Sequence, residues 1–250
     1  MKRAATLALI LAMLALALPG CQNAMPTQTE QAVDLLRFAA PADALASMQS
    51  TPVGSDPWHI YYAGPAYVYL ACNAGVRYLF RYNVKENAID RALDTGGLFP
   101  AETSWPHSAN CAFSSDGRYA VVIAGLAPED KPPQSPVYKV DFNADEITVL
   151  ANDAQGFATP PGFAYLDFET TYAHEMEYAA LAEANPDLPA LYGAGWCVAA
   201  KLDAEQFFLV RPNDPEDASP GPGYYYYKID VVDVTEGKSV QALRLDEVVN

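Results

Sequence analysis

One local pattern recurs three times along this chain, and it limits the possible folds more than any other feature of the sequence. Two apolar runs, rich in aromatic and β-branched residues, flank a short turn of Gly, Asn or Asp, which is the local chemistry of a β-hairpin. The first set is AYVYLA at 66–71, a turn near Asn73-Ala-Gly75, and VRYLFRY at 76–82. The second is CAFSS at 111–115, the Asp116-Gly117 turn, and RYAVVI at 118–123. The third is WCVAA at 196–200, a turn at Asp203-Ala204, and FFLV at 207–210. An aromatic-basic-apolar-Asp/Asn signature follows in each set: Phe80-Arg81-Tyr82-Asn83, Tyr138-Lys139-Val140-Asp141 and Tyr227-Lys228-Ile229-Asp230. A polar turn then leads to another apolar strand, at 89–93, 147–150 and 240–245. The second and third copies also share Pro-Glu-Asp, at 128–130 and 215–217. The chain therefore predicts three copies of a roughly four-stranded antiparallel unit.

The three tryptophans sharpen the period. Trp58, Trp105 and Trp196 each stand just before a copy's first strand, 47 and 91 residues apart, close to one and two periods. Residues 151–195 then fall where a degenerate fourth unit belongs. Within them, residues 162–168 read as a strand and residues 169–185 as a helix. Tyr172, Met176, Ala179 and Ala180 line one side of that helix, and Pro186 ends it. The turn Phe113-Ser114-Ser115-Asp116-Gly117-Arg118-Tyr119 resembles that of WD40-like and TolB-like β-propellers, and the Tyr-Lys-Val-Asp strand resembles the one that follows it there. The resemblance implies a mainly β, propeller-like array of about four four-stranded units, one of them degenerate with an inserted helix. The same hairpins also permit an open β-meander or sandwich with an inserted helix.

The N-terminus reads as an address. Lys2 and Arg3 precede an apolar stretch at 4–18, too short to span a bilayer but suited to a signal peptide. Leu18-Pro19-Gly20-Cys21 resembles a bacterial lipobox, where signal peptidase II cleaves before a lipid-modified cysteine. That resemblance implies a signal peptide at 1–20, lipid attachment at Cys21, and a mature protein held outside the cytoplasm on a bacterial membrane. The alternative is an ordinary secretory signal cut near Ala17 or Ala24. Residues 21–57 read as a tether with a short amphipathic helix at 31–39, broken by Pro41, and residues 58–250 as the β-repeat domain. Cys72, Cys111 and Cys197 lie in apolar strand-like runs and are expected to be buried and inert.

Composition excludes several classes of function. With 51% hydrophobic and 18% charged residues the chain is not intrinsically disordered. Its net charge of −16 argues against nucleic acid, whose phosphates are held by basic patches. No Gly-x-Ser-x-Gly elbow, P-loop, dinucleotide fingerprint or His-Glu-x-x-His occurs. His59, His107 and His174 have no metal-ligand spacing, and the acidic loops lack the alternating order of a calcium site, so no cofactor or metal is implied. Aromatic side chains are the remaining signal: Trp58, Trp105, Trp196 and the run Tyr224, Tyr225, Tyr226, Tyr227. In a strand two of those four tyrosines face each side, so one pair is a candidate contact surface. The expectation is a binding or scaffold protein that recognises a protein partner through β-repeat loops; the alternative is a cell-envelope lipoprotein that binds or hydrolyses glycan.

Overall fold

Strands with two apolar faces need a sheet covered on both sides, and the middle strands of this chain have such faces. The computed structural model describes residues 36–48, 58–72, 78–95, 110–124, 135–188, 197–213 and 227–249. The chain divides into Met1–Gln31 and Ala32–Asn250, and the described residues all belong to the second unit. Cys21, Trp105, Trp196, Tyr224, Tyr225, Tyr226 and both Pro-Glu-Asp segments lie outside them.

The described residues are mainly β, in three antiparallel sheets with two helices and no closed barrel. The first sheet holds β1 (Arg37–Ala39), β2 (Trp58–Ala63), β3 (Tyr67–Cys72), β4 (Tyr78–Asn83) and β5 (Ala88–Asp94), in the order β1-β5-β4-β3-β2. The second holds β6 (Asn110–Ser114), β7 (Tyr119–Ile123), β8 (Val137–Asp141), β9 (Glu146–Ala151) and β10 (Phe163–Ala164), in the order β10-β6-β7-β8-β9. The third is the meander β11 (Val198–Lys201), β12 (Gln206–Pro212), β13 (Tyr227–Asp233) and β14 (Lys238–Arg244). Helix α1 is Pro41–Ser47 and helix α2 is Phe168–Ala184. The three repeats are thus three four-stranded meanders. The expected fourth unit is not a sheet: residues 151–188 supply the two-residue β10, paired to β6, and α2.

The first sheet lies between the other two. Its Leu70, Phe80 and Tyr82 share a core with Phe208, Val210, Ile229 and Val231 of the third sheet. Its Tyr69, Leu79 and Leu93 share another with Phe113, Val122, Tyr138 and Val140 of the second. Successive residues of β3 and β4 therefore enter different cores, which is why these strands read as unbroken apolar runs. At the outer edges β9 and β14 alternate between exposed and half-buried residues, the pattern of a strand with one wet face.

Two local expectations are corrected. Arg37–Ala39, in the segment read as a helix within the tether, is a strand whose Phe38 pairs with Leu93. The helix follows instead, with Pro41 in its first turn, where the missing N–H breaks no bond; its Ala44 and Leu45 enter the core between the first and third sheets. A short amphipathic run fits either period, and the free edge of β5 decides in favour of the strand. The repeat register is also corrected in the third copy. Each sheet's outer hairpin closes on an Asx turn: Asn83 Oδ1 accepts the Glu86 N–H, Asp141 Oδ1 those of Asn143 and Ala144, and Asp233 Oδ1 those of Thr235 and Glu236. Four residues on, Asn87, Asp145 and Gly237 all take positive φ. Asp233, not Asp230, is therefore the equivalent of Asn83 and Asp141.

The Asp116-Gly117 turn carries the contact between the first two sheets. Tyr69 donates to the Gly117 carbonyl at 2.6 Å and Tyr62 to the Ser115 carbonyl at 2.9 Å. Gly117 has φ +66°, and a Cβ there would stand 2.7 Å from the Tyr62 ring. Asp116 accepts from Ser114 Oγ and the Arg118 N–H, and Arg118 grips Asp141 through two bonds. Cys72, Cys111 and Cys197 are buried, and burial pushes the Cys111 thiol up to about 12.

Two outcomes follow from these turns. Gly117→Ala and Gly156→Ala both place a side chain at positive φ, which costs roughly 1–2 kcal/mol, but only position 117 meets a neighbour, since nothing lies within 4 Å of a Cβ at 156. In urea melts Gly117→Ala is expected to lose about 1 kcal/mol more than Gly156→Ala, through the displaced Tyr62 hydrogen bond; equal losses would remove that contact from the account. Hydrogen bonds hold Asp116, Asp141 and Asp233 below the usual carboxylate range, led by Ser114 Oγ, the Arg118 side chain and the Glu236 N–H respectively. Their contribution is complete above the unfolded value of about 3.9 and disappears as pH falls through the depressed folded values. Urea midpoints measured from pH 7 down to pH 2 should drop below about pH 4, and Asp141→Asn should flatten that limb.

Candidate functional site

Of the aromatic residues singled out in the sequence, those in the described part are core. Trp58 is 1% exposed and packs near Phe80, ring centroids 6.2 Å apart, and Tyr227 is 1% exposed between the first and third sheets. Neither offers a surface, because the first and third sheets face each other across both residues.

Among the described residues the exposed aromatic surface lies on α2 and just before it. The chain reaches this helix from β10, whose Phe163 and Ala164 pair with Ser114 and Phe113 of β6. Asp167 caps the helix, accepting the Thr170 N–H at 2.7 Å, and that bond holds its carboxyl below the usual range. One face then docks on the third sheet. Tyr178 packs on Phe207, ring centroids 5.8 Å apart, with Leu181 and Ala182 in the same core. His174 Nδ1 accepts the Lys201 N–H at 3.2 Å, and Lys201 Nζ pairs with Glu177 at 3.1 Å. At the far end Asn185 lies against Gly237, where a Cβ would stand 2.7 Å from its Oδ1. His174 is held below its ordinary value, first by burial, with Glu177 pulling it up and Lys201 pushing it down. The neutral ring is the form that accepts the Lys201 N–H.

The other face of α2 is apolar and bare. Phe168 is 79% exposed, Tyr172 53% and Met176 50%, at successive four-residue steps, and Tyr165 just before the helix is 47% exposed. The Phe168 and Tyr172 rings stack at 6.2 Å and 15°. Asp167, Glu169 and Glu183 are exposed around them. The Tyr172, Met176, Ala179 and Ala180 side legible in the sequence is therefore real, but it faces outward, while Tyr178, Leu181 and Ala182 make the packing face. Phe168, which extends the outward stripe, was missed. The available signal was a second apolar set at three- and four-residue steps on a helix that needs only one.

Chemically this surface offers apolar contact area. Among the described residues no group of three or more His, Cys, Asp or Glu side chains is placed to hold a metal ion. No described helix is long and apolar enough to cross a membrane.

No protein-family model matches the sequence, and a comparison with curated proteins returns no match. Among solved structures the chain is similar to dihydro-heme d1 dehydrogenase NirN in complex with DHE, at 14% identity and a TM-score of 0.19. That alignment covers 84% of this chain and 58% of the other, so the chain spans under two thirds of the structure it matches, and a superposition this weak carries no argument about fold or activity.

Proposed function

We propose that this chain is an extracytoplasmic, lipid-anchored binding protein that takes hold of a protein partner through the bare apolar face of α2. The three sheets read as three blades of a propeller-like array, with α2 in the place of a fourth. Their support is the face-to-face order of the sheets and the shared geometry of their outer turns. Anchoring rests on the lipobox resemblance at Cys21. The Phe168, Tyr172 and Met176 stripe carries the binding assignment: its side chains are 50–79% exposed on a helix already held by its opposite face.

Burying a large apolar side chain contributes about 1.5–3 kcal/mol, so three such anchors suffice for a specific contact. The surrounding carboxylates and a net charge of −16 select against a second copy of this chain and against anionic headgroups. They favour a partner segment that brings apolar side chains flanked by Lys or Arg.

Two experiments bear on this reading. Labelled palmitate should enter the full-length protein in cells and be absent from Cys21→Ala, which should leave the membrane fraction; equal labelling of both, or of neither, removes the anchor. A photo-crosslinker at position 172 should give a discrete adduct with a basic partner in intact cells, and one at exposed Asp153 should not. Phe168→Ser with Met176→Ser should weaken that adduct at least tenfold while shifting stability by no more than about 0.5 kcal/mol. An undiminished adduct would refute the α2 face as the contact.

A further inference from the structure

A different corner of the third sheet concentrates positive charge. Arg211 pairs across strands with Lys228, and Lys228 with Arg244. Directly opposed residues of neighbouring strands point to the same face, so the three cations form a row across β12, β13 and β14. They stand on the face that carries Leu209 and Val232 and packs against α2, away from the first sheet. Like charges placed side by side repel unless acids are interleaved, and here, among the described residues, the acids are shared unevenly: Arg211 and Arg244 are paired and Lys228 is not. Arg211 is paired through Nε with Asp230, and both side chains are almost fully buried. Asp230 spends its other oxygen on Ser239 Oγ at 2.8 Å. Arg244 is held by Asp246 and Glu247.

Two donors remain. Arg211 Nη1 is buried and has no hydrogen-bond partner, on a side chain only 5% exposed. Lys228 is half-buried, and among the described residues no carboxylate lies within ion-pair distance of it. Burial and the neighbouring Arg211 hold its ammonium below the ordinary lysine value, and Asp230 offsets this only in part. Glu175 of α2 also lies near this corner, where it and Arg211 act in opposite directions on the Cys197 thiol. A buried guanidinium nitrogen without an acceptor, next to an unpaired ammonium, is the donor arrangement that a bound oxyanion satisfies.

We propose that Arg211 and Lys228, flanked by Arg244, form a binding site for an oxyanion, the carboxylate or phosphate group of a small ligand. Lys228 supplies the charge, Arg211 Nη1 the buried directional donor, and half-exposed Arg244 the side from which the ligand enters. The site is separate from the bare face of α2 and does not depend on it. In a chain of net charge −16 the site discriminates by short-range contact and not by long-range attraction.

The test uses the full chain at constant ionic strength, with chloride exchanged for inorganic phosphate in one arm and for acetate in another, read by nitrogen-15 NMR of the Lys and Arg side chains. Phosphate should shift the Lys228 and Arg211 signals along a saturating curve, and Lys228→Met should weaken binding about tenfold or more, since a charge-assisted contact is lost. Lys238→Met removes an exposed lysine paired to Glu236 and should leave the curve unchanged. Saturation by phosphate alone assigns a phosphate group, and saturation by acetate as well assigns oxyanions generally. Linear shifts that persist unchanged in Lys228→Met would overturn the site. So would saturation that appears only after Asp214→Asn, Glu216→Gln and Asp217→Asn are combined, because the chain's own acidic segment would then be the occupant.

Discussion

The first sheet has almost no solvent face, and the rest of the fold is organised around that constraint. Val68 and Leu70 point to one neighbour, Tyr69 and Ala71 to the other, and all four are at most 1% exposed. A sheet in that position cannot carry an unpaired charge, because burying one without a partner costs several kcal/mol. Arg81, in the middle of β4, shows how the demand is met. Two bonds join it to Asp90, a third runs to Asn143 at 2.7 Å, and its guanidinium lies 4.4 Å from the centre of the Tyr67 ring. Asn143 belongs to the outer turn of the second sheet, so the same residue that neutralises the middle sheet also ties it to its neighbour. Tyr69 does the equivalent at the inner end, through its bond to Gly117. The aromatic packing between these sheets, with Tyr69 only 4.5 Å from Phe113 and 4.6 Å from Phe142, is therefore pinned by polar contacts at both ends.

What could be read in advance from the amino acids divides along a physical line. Hairpins depend on neighbouring residues, so the second and third meanders, the β3–β4 hairpin and the Asp116-Gly117 turn were legible, as was a helix at 169–185, found at Phe168–Ala184; β2, which begins at Trp58, was not read as a strand. The register of the third repeat was misread, because Asp230 and Asp233 both follow apolar strand residues. The hydrogen bonds Asp233 accepts from the Thr235 and Glu236 N–H groups, with the positive φ of Gly237, distinguish the turn residue from the buried ion-pair residue. Strand β1 was missed because its partner is the edge of β5, more than fifty residues away, and three residues carry no period of their own. At the candidate site the limitation was burial. Counting aromatic residues selected Trp58 and Tyr227, both core, since large rings fill space between sheets as readily as they line a binding surface.

The two ends of this stack finish in different ways, and the difference gives the α2 surface its weight. On the outer side of the second sheet Lys139 Nζ lies 4.2 Å, and the Arg118 guanidinium 4.6 Å, from the centre of the Tyr119 ring. Long cationic side chains lay their methylene stems along apolar surface and leave the charge in water, so that aromatic residue is finished for solvent. At the other end α2 covers Phe207 and Leu209 of the third sheet, but does so by presenting Phe168, Tyr172 and Met176 in their place. No lysine or arginine occurs within the helix to cap them, and the carboxylates beside them have stems too short to do so. The stack thus ends at α2 in an apolar stripe that no long cationic stem within the helix covers.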